Sequence, residues 1–127
     1  MPLVYEQATG RMLLNAEELG EGYSGRNGGV NNPMMQDIPG IGPIPVGFYT
    51  IQPPRESARL GQYVLALIPF AANKMFGRAG FDWHGDETEH PGEHLASDGC
   101  IIHAREVRET GWNSGQGILQ VVTGLPQ

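Results

Sequence analysis

Cys100 is the only cysteine among 127 residues, and it sits in Ser97-Asp98-Gly99-Cys100-Ile101-Ile102. His84 stands sixteen positions before it, at the end of the short run Phe81-Asp82-Trp83-His84. A lone thiol preceded by Ser-x-Gly, with a histidine upstream, can act as a nucleophile with its base. A free thiol of pKa about 8.5 is only about a few per cent thiolate at neutral pH, so an imidazole that takes its proton raises its reactivity. The carbonyl that such a sulfur attacks needs donors for its developing negative charge. Backbone N–H groups near Gly99 and Cys100 can supply them, because glycine permits unusual backbone angles and close approach. Ser97 can orient the loop or the imidazole through its hydroxyl. The same residues admit a plainer reading, a buried structural cysteine on a strand.

The elements that must hold this pair are mostly strands. Leu3 to Gln7 and Arg11 to Leu14 flank Ala8-Thr9-Gly10 and read as a hairpin turning at Gly10. Ala16 to Leu19 reads as one helical turn. From Gly20 to Gly47 the chain carries eight glycines and four prolines, so a long loop is expected, packed down by Met34, Met35, Ile38, Ile41 and Ile44. Pro43-Ile44-Pro45-Val46-Gly47 is a stiff turn feeding a strand over Phe48 to Ile51. Glu56 to Leu60 reads as a short helix stopped by Gly61. Tyr63 to Ile68, bounded by Gly61 and Pro69, has the length and apolarity of a buried strand. Further strands are expected over Gly80 to His84, Gly99 to His103 and Gly117 to Thr123, with a helix over Ala104 to Thr110 that Gly111 stops. Trp83 alternates with His84 along its strand and should face away from the site.

Composition narrows the class. With 19 glycines, 10 prolines and 39% hydrophobic residues, the chain suits one turn-rich β domain over residues 1–127, mainly β with one or two short helices. The net charge of −6 argues against a nucleic-acid partner, whose phosphates demand a basic face. No apolar run is long enough to span a membrane. Met1-Pro2-Leu3-Val4-Tyr5-Glu6 lacks the basic start and apolar stretch of a secretory signal, so synthesis in the cytoplasm is expected. A single cysteine makes no internal disulfide, which leaves stability to packing.

His84 followed by Ser97-Asp98-Gly99-Cys100 resembles the L,D-transpeptidase catalytic domains of peptidoglycan metabolism, whose hallmark is a histidine, a gap and Ser/Thr-His-Gly-Cys. The version here is most similar to a branch found among type VI secretion effectors that attack peptidoglycan. Tyr23-Ser24-Gly25, Asn31-Asn32-Pro33 and Gly42-Pro43-Ile44-Pro45-Val46-Gly47-Phe48-Tyr49 look like that branch's upstream elements. Phe76-Gly77-Arg78-Ala79-Gly80-Phe81 and Gly99-Cys100-Ile101-Ile102, with Arg105 and Arg108, look like its second half. The likeness covers nearly the whole chain. Asp98 departs from it, standing where the family has histidine, and receives no catalytic role.

The resemblance implies a β-sandwich or barrel with long Gly/Pro-rich loops and a cysteine acyltransferase working on stem peptides. Cys100 would attack the carbonyl before a terminal D-amino acid. His84 would be base and then acid, with Ser97 and Gly99 completing the catalytic set. An amine would then resolve the acyl-enzyme by crosslinking or exchange, or water by carboxypeptidase cleavage. Arg78, Arg105 and Tyr23 are the substrate-binding candidates, the arginines because a guanidinium grips a carboxylate with two parallel bonds; for each arginine a surface salt bridge is the competing role. No cofactor is implied. The implied partners are the stem peptide, an immunity protein and a secretion-machine carrier, and the implied place of action is the periplasm of a target bacterium.

Five acids crowd Asp86 to Asp98, namely Asp86, Glu87, Glu89, Glu93 and Asp98. Their charge disfavours a thiolate, so His84 or a nearby arginine has to outweigh it. That stretch can serve a cationic acceptor amine or be a solvated loop. Two rival functions remain. His84, His90, His94, His103 and Cys100 are zinc-type ligands, although Pro91-Gly92 breaks the helical spacing of His90 and His94 and no His-Glu-x-x-His occurs. The first would make the protein a zinc-dependent hydrolase; alternatively, a glycine-rich β domain can be a non-catalytic peptidoglycan-binding module, a virion or secretion structural module or an inactive relative, with Cys100 and His84 merely packed.

Overall fold

The computed structural model describes residues 2–86 and 96–124. Strand β1 (Leu3–Glu6) turns into β2 (Arg11–Leu14), and β3 (Glu17–Glu21) and the two-residue β4 (Tyr23–Ser24) follow. Two single-turn 3-10 helices, Asn27–Gly29 and Pro33–Met35, lie in the Gly/Pro-rich stretch. Then come β5 (Gly47–Ile51), β6 (Arg55–Ser57), β7 (Gly61–Pro69), β8 (Phe81–His84), β9 (Ile101–Ile102), helix α1 (Arg105–Asn113) and β10 (Ile118–Val122).

Period-two alternation sets the core. Leu3 and Tyr5 of β1, Tyr49 and Ile51 of β5, Leu65 and Leu67 of β7, Phe81 and Trp83 of β8, and Leu119 and Val121 of β10 all point into one cluster. Each fully buried Leu or Val contributes about 1.5–3 kcal/mol relative to leaving it exposed. The strands form one ten-stranded sheet in the order β3-β2-β1-β10-β5-β7-β8-β9-β4, with β6 paired to β7 beside this path. Most neighbours are antiparallel; β1 with β10 and β8 with β9 are parallel.

The two ends of that path, β3 and β4, are consecutive in the chain with only Gly22 between them. The sheet therefore bends round into a nearly closed barrel. Gly22 is required at the join: a Cβ there would lie 1.8 Å from the carbonyl oxygen of Ile102. The mainly β architecture with a single α-helix agrees with the sequence expectation.

Three local expectations are corrected. Ala16 to Leu19 is not a helical turn: Asn15 and Ala16 both adopt positive φ, 51° and 66°, and make a two-residue hairpin turn that starts β3. Glu56 to Leu60 is not a helix either. Arg55–Ser57 pairs with β7, and the chain turns back through Gly61 at φ 97°. Gly111 does not stop α1, which continues to Asn113. It is an interior contact point instead, since a Cβ on it would sit 2.5 Å from the indole of Trp83. Helix and sheet touch there because there is no side chain between them.

Candidate active-site cleft

His84 ends β8 and Cys100 immediately precedes β9. The parallel register pairs Trp83 with Ile101 and His84 with Ile102. Stepping back one residue sets Cys100 beside Asp82, and the Asp82 N–H donates to the Cys100 sulfur at 3.3 Å. Asp82, His84 and Cys100 thus share one face of the strand pair, while Trp83 and Ile101 take the other face into the core. His84 and Cys100 line one cleft of about 420 Å³, together with Arg59, Arg78, Phe81 and Asp98.

The imidazole of His84 is nearly buried, 2% exposed. Its Nδ1 lies 2.8 Å from the Gly85 carbonyl oxygen. A carbonyl only accepts, so Nδ1 carries the proton and Nε2 keeps a lone pair. That Nε2 is buried without a hydrogen-bond partner among the described residues. Burial lowers the His84 pKa, against the Gly85 bond and the Asp82 charge, which raise it. Burial favours the neutral ring, whose Nε2 is an acceptor.

Cys100 is partly exposed and free. Burial pushes its thiol up to about 11; Asp82 and Asp98 add to the rise, and the Asp82 N–H bond and the Arg59 charge oppose it. Desolvation is the largest of these influences, and both groups rest neutral, as thiol and imidazole.

The turn before the thiol is bonded to the loop of residues 20–47. Ser97 is fully buried, and its hydroxyl donates to the Cys100 carbonyl at 2.6 Å while accepting from Gly25 N–H and Gly99 N–H at 2.9 and 3.0 Å. Ser24 donates to the Gly99 carbonyl at 2.8 Å and accepts from Ile44 N–H at 2.9 Å. Gly99 has φ +129°, and a Cβ there would lie 2.5 Å from Arg78 and 2.7 Å from Phe81. Ser97 therefore orients the cysteine turn, and Gly99 lets it pass close to its neighbours. Of the two backbone donors expected near the thiol, the Gly99 N–H is already given to Ser97.

The three binding candidates part company. Arg78 lines the cleft, but its guanidinium donates to the carbonyls of Gln36, Pro43, Gly42 and Asp98 at 2.6 to 3.2 Å. Tyr23 and Arg105 line a larger cavity of about 730 Å³ that holds Gly85 and His103 and no thiol. The Tyr23 hydroxyl donates to Asp86 at 2.7 Å and accepts from Ala96 N–H at 3.1 Å. Arg105 is exposed and bonded to Gln62 and Glu109. The smaller cleft is the candidate site because the thiol and the imidazole both line it; volume alone does not mark a reaction site.

Sequence reasoning missed Arg59. It was read into a helix and instead overlooks His84 and Cys100 from the turn between β6 and β7. Of the zinc-type ligands, His103 accepts the Trp83 Nε1–H at its Nδ1 and bonds Gly10 O through Nε2, both within the barrel wall. His90, His94 and the acids Glu87, Glu89 and Glu93 lie outside the described residues. Among the described residues no group of three His, Cys, Asp or Glu side chains is placed to hold a metal ion.

Fold and site define a small β-barrel domain that presents one thiol and one neutral imidazole to a shared cleft. The chain belongs to the Tlde1 domain family, which its residues 18–123 match. That membership places it in the type VI secretion effector branch. No curated protein and no solved structure matches the chain.

Proposed function

We propose that this protein is a peptidoglycan-modifying cysteine enzyme that acts on stem peptides as an L,D-carboxypeptidase, an L,D-transpeptidase exchanging D-amino acids, or both. Its role is that of an antibacterial effector delivered to the periplasm of a target cell, with an immunity protein protecting the producer. One observation carries the reading: His84 and Cys100 line the same cleft, and the buried Nε2 of His84 has no hydrogen-bond partner among the described residues. A buried acceptor without a partner is costly, and beside a thiol in a shared cleft it supports the assignment of His84 as the base.

The resting thiol and imidazole imply general-base catalysis rather than a standing ion pair. As the sulfur attacks the peptide carbonyl, the S–H proton passes to His84 Nε2 and the S–C bond forms. The C–N bond then breaks, and His84 returns the proton to the departing amine. The acyl-enzyme is resolved by a second amine, which restores a peptide bond, or by water, which releases a carboxylate. In either case His84 takes a proton from the incoming group and the thiol regains one.

The high thiol pKa favours a second reading, a peptidoglycan-binding or secretion-associated structural module in which Cys100 only packs. Digested peptidoglycan incubated with the parent protein and with Cys100→Ala separates the two. Mass spectra are expected to show loss or replacement of the terminal D-amino acid with the parent alone. Equal product from both proteins, or none from either, ends the thiol mechanism.

A further inference from the structure

The chain carries 14 acidic and 8 basic side chains, so a guanidinium has many carboxylates to choose from. Arg11 pairs with Glu6 and Glu18, Arg26 with Asp98, Arg55 with Asp82 and Arg105 with Glu109. Arg78 and Arg108 are filled by backbone carbonyls. Arg59 alone among the seven arginines has neither an ion pair nor a hydrogen bond among the described residues.

Its position makes that meaningful. Arg59 sits in the tight turn Ala58-Arg59-Leu60, fixed by the Leu60 N–H donating to Ser57 Oγ at 3.1 Å. It lines the cleft of His84 and Cys100 and also the adjoining one of about 470 Å³ that runs along His84, Gly85 and Ala96. Its charge reaches both reactive groups, lowering the pKa of each. A planar cation whose donors are open among the described residues, held at the meeting point of two clefts, matches a carboxylate in shape and charge.

We propose that Arg59 is the docking point for a carboxylate of the peptide that enters the His84–Cys100 cleft, an inference that rests on that cleft being the reaction site. The guanidinium would hold the carboxylate of the peptide while the scissile carbonyl lies against Cys100. Arg78, with its donors spent on the loop, would shape the floor and leave this task to Arg59.

The test needs no turnover, so it is independent of whether peptidoglycan is the substrate. Cys100 is alkylated with iodoacetate, which carries a carboxylate, and with the neutral iodoacetamide; the ratio of the two rates is compared with that of glutathione under the same conditions. A protein of net charge −6 should repel iodoacetate. With Arg59 docking the carboxylate, the ratio at Cys100 is expected to exceed that of glutathione by about three- to fivefold, the effect of one exposed ion pair. Arg59→Gln should remove the excess and Arg59→Lys should keep part of it. A change in thiol acidity moves both reagents alike and cancels in the ratio. A parent ratio no higher than that of glutathione, or one unchanged in Arg59→Gln, overturns the proposal. A Cys100 inert to both reagents moves the decision to a titration of isotope-labelled protein with N-acetylalanine and with its carboxamide. Saturable shifts at Gly85, Ala96 and Cys100 with the acid alone, lost in Arg59→Gln, support the docking point; no such shifts overturn it.

Discussion

His84 ends β8 and Cys100 immediately precedes the parallel strand β9, two residues out of register with it and on the same face of the sheet. Sixteen residues of intervening chain leave β8 and return to start β9 beside it. The barrel wall thus delivers an imidazole and a thiol to one cleft, and burial favours the neutral form of each.

That neutrality predicts the pH behaviour of Cys100. With a thiol pKa of about 11, its alkylation by a neutral reagent should climb roughly tenfold per pH unit from pH 7 towards 11. His84→Gln should leave this profile almost unchanged yet lower turnover by about 10²- to 10⁴-fold, because the proton moves only during the reaction. A fast alkylation plateau below pH 7 that His84→Gln abolishes would mean a preformed thiolate–imidazolium pair instead.

Acid should loosen the barrel through His103. Burial holds its pKa down at about 4, while the unfolded chain titrates at about 6.5. Between these values the unfolded state binds more protons, so stability is fully present above pH 6.5 and falls as pH drops towards 4. The loss is on the order of 3 kcal/mol, since protonation would set Nδ1–H against the Trp83 N–H that it now accepts. His84, also lowered by burial, acts in the same direction. Urea unfolding at pH 7.5 and pH 4.5 should show a smaller difference in His103→Gln than in the parent. An equal difference would assign the acid sensitivity to other groups.

Arg78→Lys should destabilise the fold. A lysine cannot fork to the four carbonyls that Arg78 holds, and the loop over residues 36–43 would lose its tie to Asp98. The expected loss is about 2–4 kcal/mol by urea unfolding. Unchanged stability with a raised KM would return Arg78 to the role of substrate ligand.

Delivery can be tested in a Gram-negative host. The protein expressed in the cytoplasm should be harmless, and the same protein fused to an export signal should be toxic, with swollen or misdivided cells. Cys100→Ala should remove the toxicity of the exported form. Toxicity confined to the cytoplasmic form would exclude the cell wall as target.

Local pattern made much of this legible in the sequence. The Gly10 hairpin, the apolar runs that became β5 and β7, and the alternation that sends Trp83 inward depend on neighbours within a few residues. That His84 and Cys100 come to one cleft follows from the strands β8 and β9 that flank them, whereas the thiol alone does not single out His84, since His90 and His94 stand closer to it in the chain. Other features depended on partners far along the chain. Glu17–Glu21 and Arg55–Ser57 carry no apolar alternation; they are strands because β2 and β7 offer them backbone hydrogen bonds. Arg78 and Arg105 looked alike as cations, and only packing filled one with carbonyls and carried the other to a different cavity. The protonation of Cys100 and the open guanidinium of Arg59 were likewise decided by tertiary structure, since desolvation and the choice of ion-pair partners arise only once distant segments are brought together.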